Sequence, residues 1–168
     1  MKRILLTFVV LMAFKGVTYA ADAAPAAAPA ADAVAPAPVD IGYMIERAKS
    51  GDQLFIIELA RRYKEGDGVE INTQQAKYWY EQAVKGGNPD GHFFLGLMYG
   101  NGDFGLEDKI TACKQYEKAV AMEKKGEIYS HSHNNLAVCY ADGIGCKKDY
   151  SKAVKHYQIA AKHPYAHI

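Results

Sequence analysis

Two residue types in this chain carry chemistry of their own, six histidines and three cysteines. His131 and His133 stand one residue apart, and His163 and His167 lie near the C-terminus. As a set they lack the Cys and His spacing of ordinary zinc sites, so they read as solvated histidines, the first pair in a long loop and the second in the tail. Cys113, Cys139 and Cys146 include no Cys-x-x-Cys, the arrangement that activates a redox thiol. For acyl transfer a nucleophile needs a base and an oxyanion hole, and neither Gly-x-Ser-x-Gly nor Ser-x-x-Lys occurs. Thr111-Ala112-Cys113-Lys114 is a loose echo of the latter, and Gln75-Ala76-Lys77-Tyr78 repeats it elsewhere, as the start of a helix would. The residues therefore call for no catalytic group, no metal and no cofactor, and the chain reads as a non-enzyme.

The N-terminus sets the context. Met1-Lys2-Arg3, the apolar run from Ile4 to Phe14 and the small residues at Ala20-Ala21 form a secretory leader, with cleavage expected after Ala20. The run is too short to span a bilayer, which takes about 20 apolar residues, and Lys15 interrupts it. No cysteine stands at the cleavage point to carry a lipid, and no later stretch reads as a membrane span. Residues 21–39 are almost wholly Ala and Pro, a disordered linker with little to bury. Loss of Lys2, Arg3 and Lys15 leaves 17 of the 20 basic residues against 19 acidic ones, which offers no basic field to nucleic acid.

Residues 40–163 are organised by repetition. A shift of 36 residues places Leu59 on Leu95, Ala60 on Gly96, Tyr63 on Tyr99, Gly66 on Gly102, Asn72 on Asp108, Ala76 on Ala112, Tyr80 on Tyr116 and Ala83 on Ala119. A further shift of 41 reaches Leu136, Ala137, Tyr140, Gly143, Asp149, Ala153, Tyr157 and Ala160, with the extra residues falling around Glu127 to His131. Both halves of each unit have helical spacing, so the units, about 52–87, 88–126 and 127–163, are helix-turn-helix pairs. The small-residue column lets two helices approach, the tyrosines fill the space around the contact, and the Asx column caps each second helix. The glycines of the turns recur once per unit after a helix, not a strand, which argues against a phosphate loop. His92 and His133 share a column with Ile56, a half-buried position between helices. Residues 40–50 resemble the end of a second helix and are expected to cap the N-terminal side.

Leu59-Ala60-x-x-Tyr63-x-x-Gly66-x-Gly68-Val69, followed by Ala76-x-x-Trp79-Tyr80-x-x-Ala83, resembles the Sel-one-like repeat, a branch of the tetratricopeptide superfamily, over residues 52 to 163. The resemblance implies an all-α, right-handed α/α solenoid whose first helices line a concave face that binds a protein or peptide. Carried over column by column, that face comprises Ile57, Arg61, Lys64, Phe93, Leu97, Asn134 and Val138, basic at its N-terminal end and apolar in its middle. The competing reading makes Phe93, Leu97 and Val138 core between the units. A secreted, disulfide-rich branch of the family is associated with penicillin-like compounds, which keeps a weak hydrolase, or an accessory or inhibitor of wall enzymes, as the alternative to a periplasmic or secreted adaptor.

In an oxidising compartment two of the three cysteines are expected to pair. Cys139 with Cys146 would staple one hairpin turn. Cys113 with Cys139 is nearly as good, because antiparallel helices bring a helix start beside a neighbour's end. No polar helix closes the C-terminal end, which leaves association through that end open.

Overall fold

The computed structural model describes residues 40–122 and 127–162. The expected leader (1–20), the linker (21–39) and the tail (164–168), together with His163, lie outside the described residues. Seven helices follow one another, with no strand among the described residues: α1 Ile41–Lys49, α2 Gln53–Glu65, α3 Thr73–Lys85, α4 Pro89–Asn101, α5 Lys109–Met122, α6 Glu127–Asp142 and α7 Tyr150–Ala161. Helices α2/α3, α4/α5 and α6/α7 pack as hairpins, α3 meets α4, α5 meets α6, and α1 covers α2. The result is an all-α solenoid with a capping helix at its N-terminal side.

Short polar side chains start the helices. The Asn72 side chain accepts from the Gln75 amide at 2.9 Å, Asp108 from Thr111 at 2.8 Å and Asp149 from Lys152 at 2.9 Å. Asp40, Asp52 and Asn88 cap α1, α2 and α4 in the same way. Each bond satisfies an amide that the helix leaves free, a contribution of about 1 kcal/mol. First helices end on left-handed glycines, Gly66 at φ 78° and Gly102 at φ 76°, a backbone region that side chains with a β-carbon rarely adopt.

Close approach within the hairpins rests on the small-residue column. Ala60 and Ala137 are fully buried, and a β-carbon on Gly96 would stand 2.6 Å from the Tyr116 ring. Two apolar clusters result. The first gathers Ile56, Leu59, Trp79, Tyr80, Leu95 and Met98 with Met44 of α1, and the second gathers Phe93, Tyr116 and Leu136 around Cys113 and Cys139.

The extra residues of the third unit do not form a loop around His131 and His133, as the sequence led us to expect. They lengthen α6 to 16 residues, against 13 in α2 and α4. Glu127 to His131 contains neither Gly nor Pro, and Ser130 Oγ donates to the Ala160 carbonyl at 2.8 Å, tying the added turn to α7. His133 is accordingly a buried helix residue, 5% exposed, in the column of Ile56 and His92, which are also buried.

Candidate binding face

The proposed face is carried by α2, α4 and α6, the three first helices, and its seven residues have unequal surroundings. Phe93 is 5% exposed and sits in the second core, its ring centroid 5.2 Å from Phe94 and 6.1 Å from Tyr116. It is packing rather than surface, which corrects its placement as a groove residue. Ile57 is half-buried against the first core. Leu97 is half-buried, Asn134 is exposed and Val138 is 39% exposed. Leu97 and Val138 come together in a recess of about 340 Å³, with Tyr116, Asn135 and Ile144 in its walls and Lys109 and Asp142 at polar positions. Burial pushes the Tyr116 hydroxyl up to about 12, so that group stays neutral in its wall of the recess.

The N-terminal end of the face is not the basic patch that the sequence implied. The Arg61 guanidinium donates to Glu58 at 2.9 and 2.8 Å and to Asp67 at 3.1 Å, and it also bonds Glu65. Arg62 shares Glu58 and Asp67. Three carboxylates thus face two guanidinium groups. The hydrogen bonds from Arg61 hold the Glu58 carboxyl below its ordinary range and raise Arg61 further above its own. Helical spacing explains the network, since Glu58, Arg61, Arg62 and Glu65 lie three and four residues apart. Lys64 forms no ion pair among the described residues and is the cation this end can offer.

The recess is bordered by the disulfide. Cys113 of α5 is bonded to Cys139 of α6, with Cα atoms 5.9 Å apart, and Cys146 is free. The expected Cys139–Cys146 staple is therefore corrected. Cys139 faces back toward α5, whereas Cys146 lies beyond the turn glycines and directs its thiol at the Cys139 carbonyl, 3.7 Å away. The bridge joins the second unit to the third instead of closing one hairpin. Burial pushes the Cys146 thiol up, the opposite of an activated nucleophile.

One constellation escaped the sequence reading. His133 of α6 and His156 of α7 meet Nδ1 to Nδ1 at 2.6 Å, so one ring donates and the other accepts. Tyr129 packs edge-on against His133, and Tyr140 stacks on His156. Burial, reinforced by the neighbouring His156, lowers His133 to about 4, and burial also lowers His156. The repeat places residues 133 and 156 in the columns of Ile56 and Trp79, two core positions of the first unit. That shared burial is the signal that could have paired them. Among the described residues no group of three metal-ligating side chains converges.

Stacked helical hairpins with a face built from the first helix of each define a helical-repeat solenoid. The Sel1 repeat family model matches residues 56–88, 89–123 and 130–165, and the chain belongs to that family, whose fold serves protein–protein interaction. The chain is 32% identical to a Sel1 repeat protein from Oxalobacter formigenes, with a TM-score of 0.63, covering 76% of this chain and 93% of that one. It is 30% identical to c5321, a protective antigen of uropathogenic Escherichia coli strains with an SLR fold (TM-score 0.67), covering 74% of this chain but 26% of that one. Cysteine rich protein B of Helicobacter pylori shares the fold at 22% identity, with a TM-score of 0.54, over 73% of this chain and 84% of that chain. No curated protein sequence matches the chain.

Proposed function

We propose that this protein is an exported, non-enzymatic adaptor that holds a peptide or protein partner along the face of α2, α4 and α6. The observation that carries the reading is the recess between Leu97 and Val138, mainly apolar with Lys109 and Asp142 also in its lining. A partner inserts an apolar side chain there, while Asn134 supplies hydrogen bonds and Lys64 meets an acidic group. Ile57 and Phe93 back the face from beneath, and Arg61 shapes its N-terminal end as a neutralised cluster. Export is supported by the leader-like N-terminus and by the Cys113–Cys139 bridge, since disulfides persist in oxidising compartments. The non-enzymatic reading is supported by a free thiol that burial deactivates and a histidine pair that burial keeps neutral.

Affinity capture from envelope extract tests this reading with wild type, Val138→Glu and Lys64→Glu baits. One partner should be enriched by wild type, lost with Val138→Glu and weakened with Lys64→Glu. Arg61→Glu is the wrong probe, because it places a fourth acid among Glu58, Glu65 and Asp67. Capture that is indifferent to Val138→Glu would remove the recess from the account, and a preprotein that keeps its leader in the cell fraction would remove export.

A further inference from the structure

Each second helix of the solenoid carries a tyrosine in one column, and the exposure of that tyrosine reports what covers the helix. Tyr80 on α3 is 0% exposed because α4 lies over it, with Phe94 stacked at 5.0 Å and Gly91 against its carbonyl. Tyr116 on α5 is 7% exposed, between α4 and Asn135 of α6. Tyr157, the same column on α7, is 39% exposed, and Val154 and Tyr150 on its stripe are 53% and 64% exposed. The tyrosine column that packs on a following unit in α3 and α5 is therefore presented outward in α7, with Val154 and Tyr150 beside it.

The covering helices inside the chain define what fits such a stripe. Each bears a small residue and then a leucine four positions on, Gly91 with Leu95 in α4 and Ser132 with Leu136 in α6. A β-carbon at Gly91 would lie 2.6 Å from the Tyr80 carbonyl, so the small residue is a steric requirement. Charge narrows the occupant further. Lys147, Lys148, Lys155 and Lys162 are exposed on α7 and its flanking turns, and none is in an ion pair among the described residues. The Lys148 ammonium lies 5.3 Å over the Tyr150 ring, which sets cation beside apolar stripe. Of the acids beside these lysines, Asp149 is engaged in capping α7 and Glu117 of α5 accepts from the Tyr140 hydroxyl at 3.3 Å.

We propose that the outward face of α7 docks an acidic amphipathic helix of another protein, which continues the solenoid by one helix. A second copy of this chain is the poorer occupant. Two α7 faces packed together would set lysine against lysine, and the faces of α4 and α6 that cover such a stripe are already packed on α3 and α5.

The test uses the full chain and a fluorescent, conformationally locked peptide with the α4 sequence, its solvent-facing positions changed to glutamate. A lysine version of the same peptide is the control. Anisotropy titration should show saturable binding of the glutamate helix, weakened at least about tenfold by Val154→Glu, an interface anchor, and several-fold by Lys148→Glu with Lys155→Glu or by high salt. Val138→Glu, in the recess, should leave it unchanged, which separates this face from the groove reading. Val154 is more than half exposed, so its substitution leaves the fold intact, as circular dichroism will show. Equal binding of the two peptides, or binding indifferent to Val154→Glu, overturns the proposal. So does a concentration-dependent dimer that Val154→Glu abolishes, which assigns the face to a second copy. Adsorption to phosphatidylglycerol vesicles that Val154→Glu abolishes overturns it too, in favour of a membrane surface.

Discussion

The first and last units are built on the same sequence columns and are held together by different means. In the first, α2 and α3 lie between α1 and α4, and Trp79 and Tyr80 are buried at 6% and 0% exposure in a carbon-rich cluster. In the last, α7 packs on α6, and its buried residues are Ala153 and Ala160. That unit is tied instead by the Cys113–Cys139 bridge, the His133–His156 hydrogen bond and the Ser130 bond to the Ala160 carbonyl. A repeat column thus fixes where a side chain points, and the neighbouring unit decides what that side chain contributes.

The sharpest way to break this comparison is to truncate one column at both ends. Tyr80→Ala should cost about 4 kcal/mol, as for a large aromatic removed from a packed core, whereas Tyr157→Ala should cost under about 1 kcal/mol. Urea denaturation of the two variants measures both, and equal costs would end the distinction. Next in size is the staple. Replacing Cys113 and Cys139 together by serine should cost about 3 kcal/mol for a loop of this length, with hydrogen exchange rising first in α6 and α7.

Between about pH 6.5 and 4 acid should act first on the last unit, through its histidines. With the pKa of His133 lowered to about 4 and that of His156 also lowered, the folded state favours neutral rings that the unfolded chain protonates near 6.5. Their contribution is complete above pH 7 and is lost as pH falls from about 6.5 toward 4. Tm should therefore drop by several degrees across that window. The groups facing the pair are Tyr129 and Tyr140 of α6, Glu117 of α5 and Lys152 of α7. His133→Ile, which copies Ile56, should flatten the profile, and an unchanged slope in that variant would detach it from this pair. The smallest effect belongs to the exposed network of the first unit. Arg61→Met should change stability by under about 1 kcal/mol, and a larger loss would mean that charge as well as packing holds that end.

Much of the solenoid is legible in the sequence because its cause is local. Helical spacing, Asx caps and turn glycines recur at fixed offsets, and each acts within a few residues of itself. The site is less legible because its properties come from contacts between units. Arg61 reads as a free cation until Glu58, Glu65 and Asp67 are placed around it, and Phe93 reads as groove until Phe94 and Tyr116 close over it. The cysteine pairing turned on which face of α6 meets α5, a question that spacing alone left open between Cys113 and Cys146. His133 and His156 are separated by a hairpin, and their columns gave burial without the hydrogen bond.

Site-specific photocrosslinking tests the central claim, that the face of the first helices holds the partner, most directly. A benzophenone side chain placed in turn at Val138, Asn134, Glu81 and Lys118 would be irradiated in cells expressing the full chain. The account predicts one shared adduct from Val138 and Asn134 on α6 and none from Glu81 or Lys118 on the second helices. Adducts from Glu81 or Lys118, with none from Val138, would contradict it and move the binding surface to the other side of the solenoid.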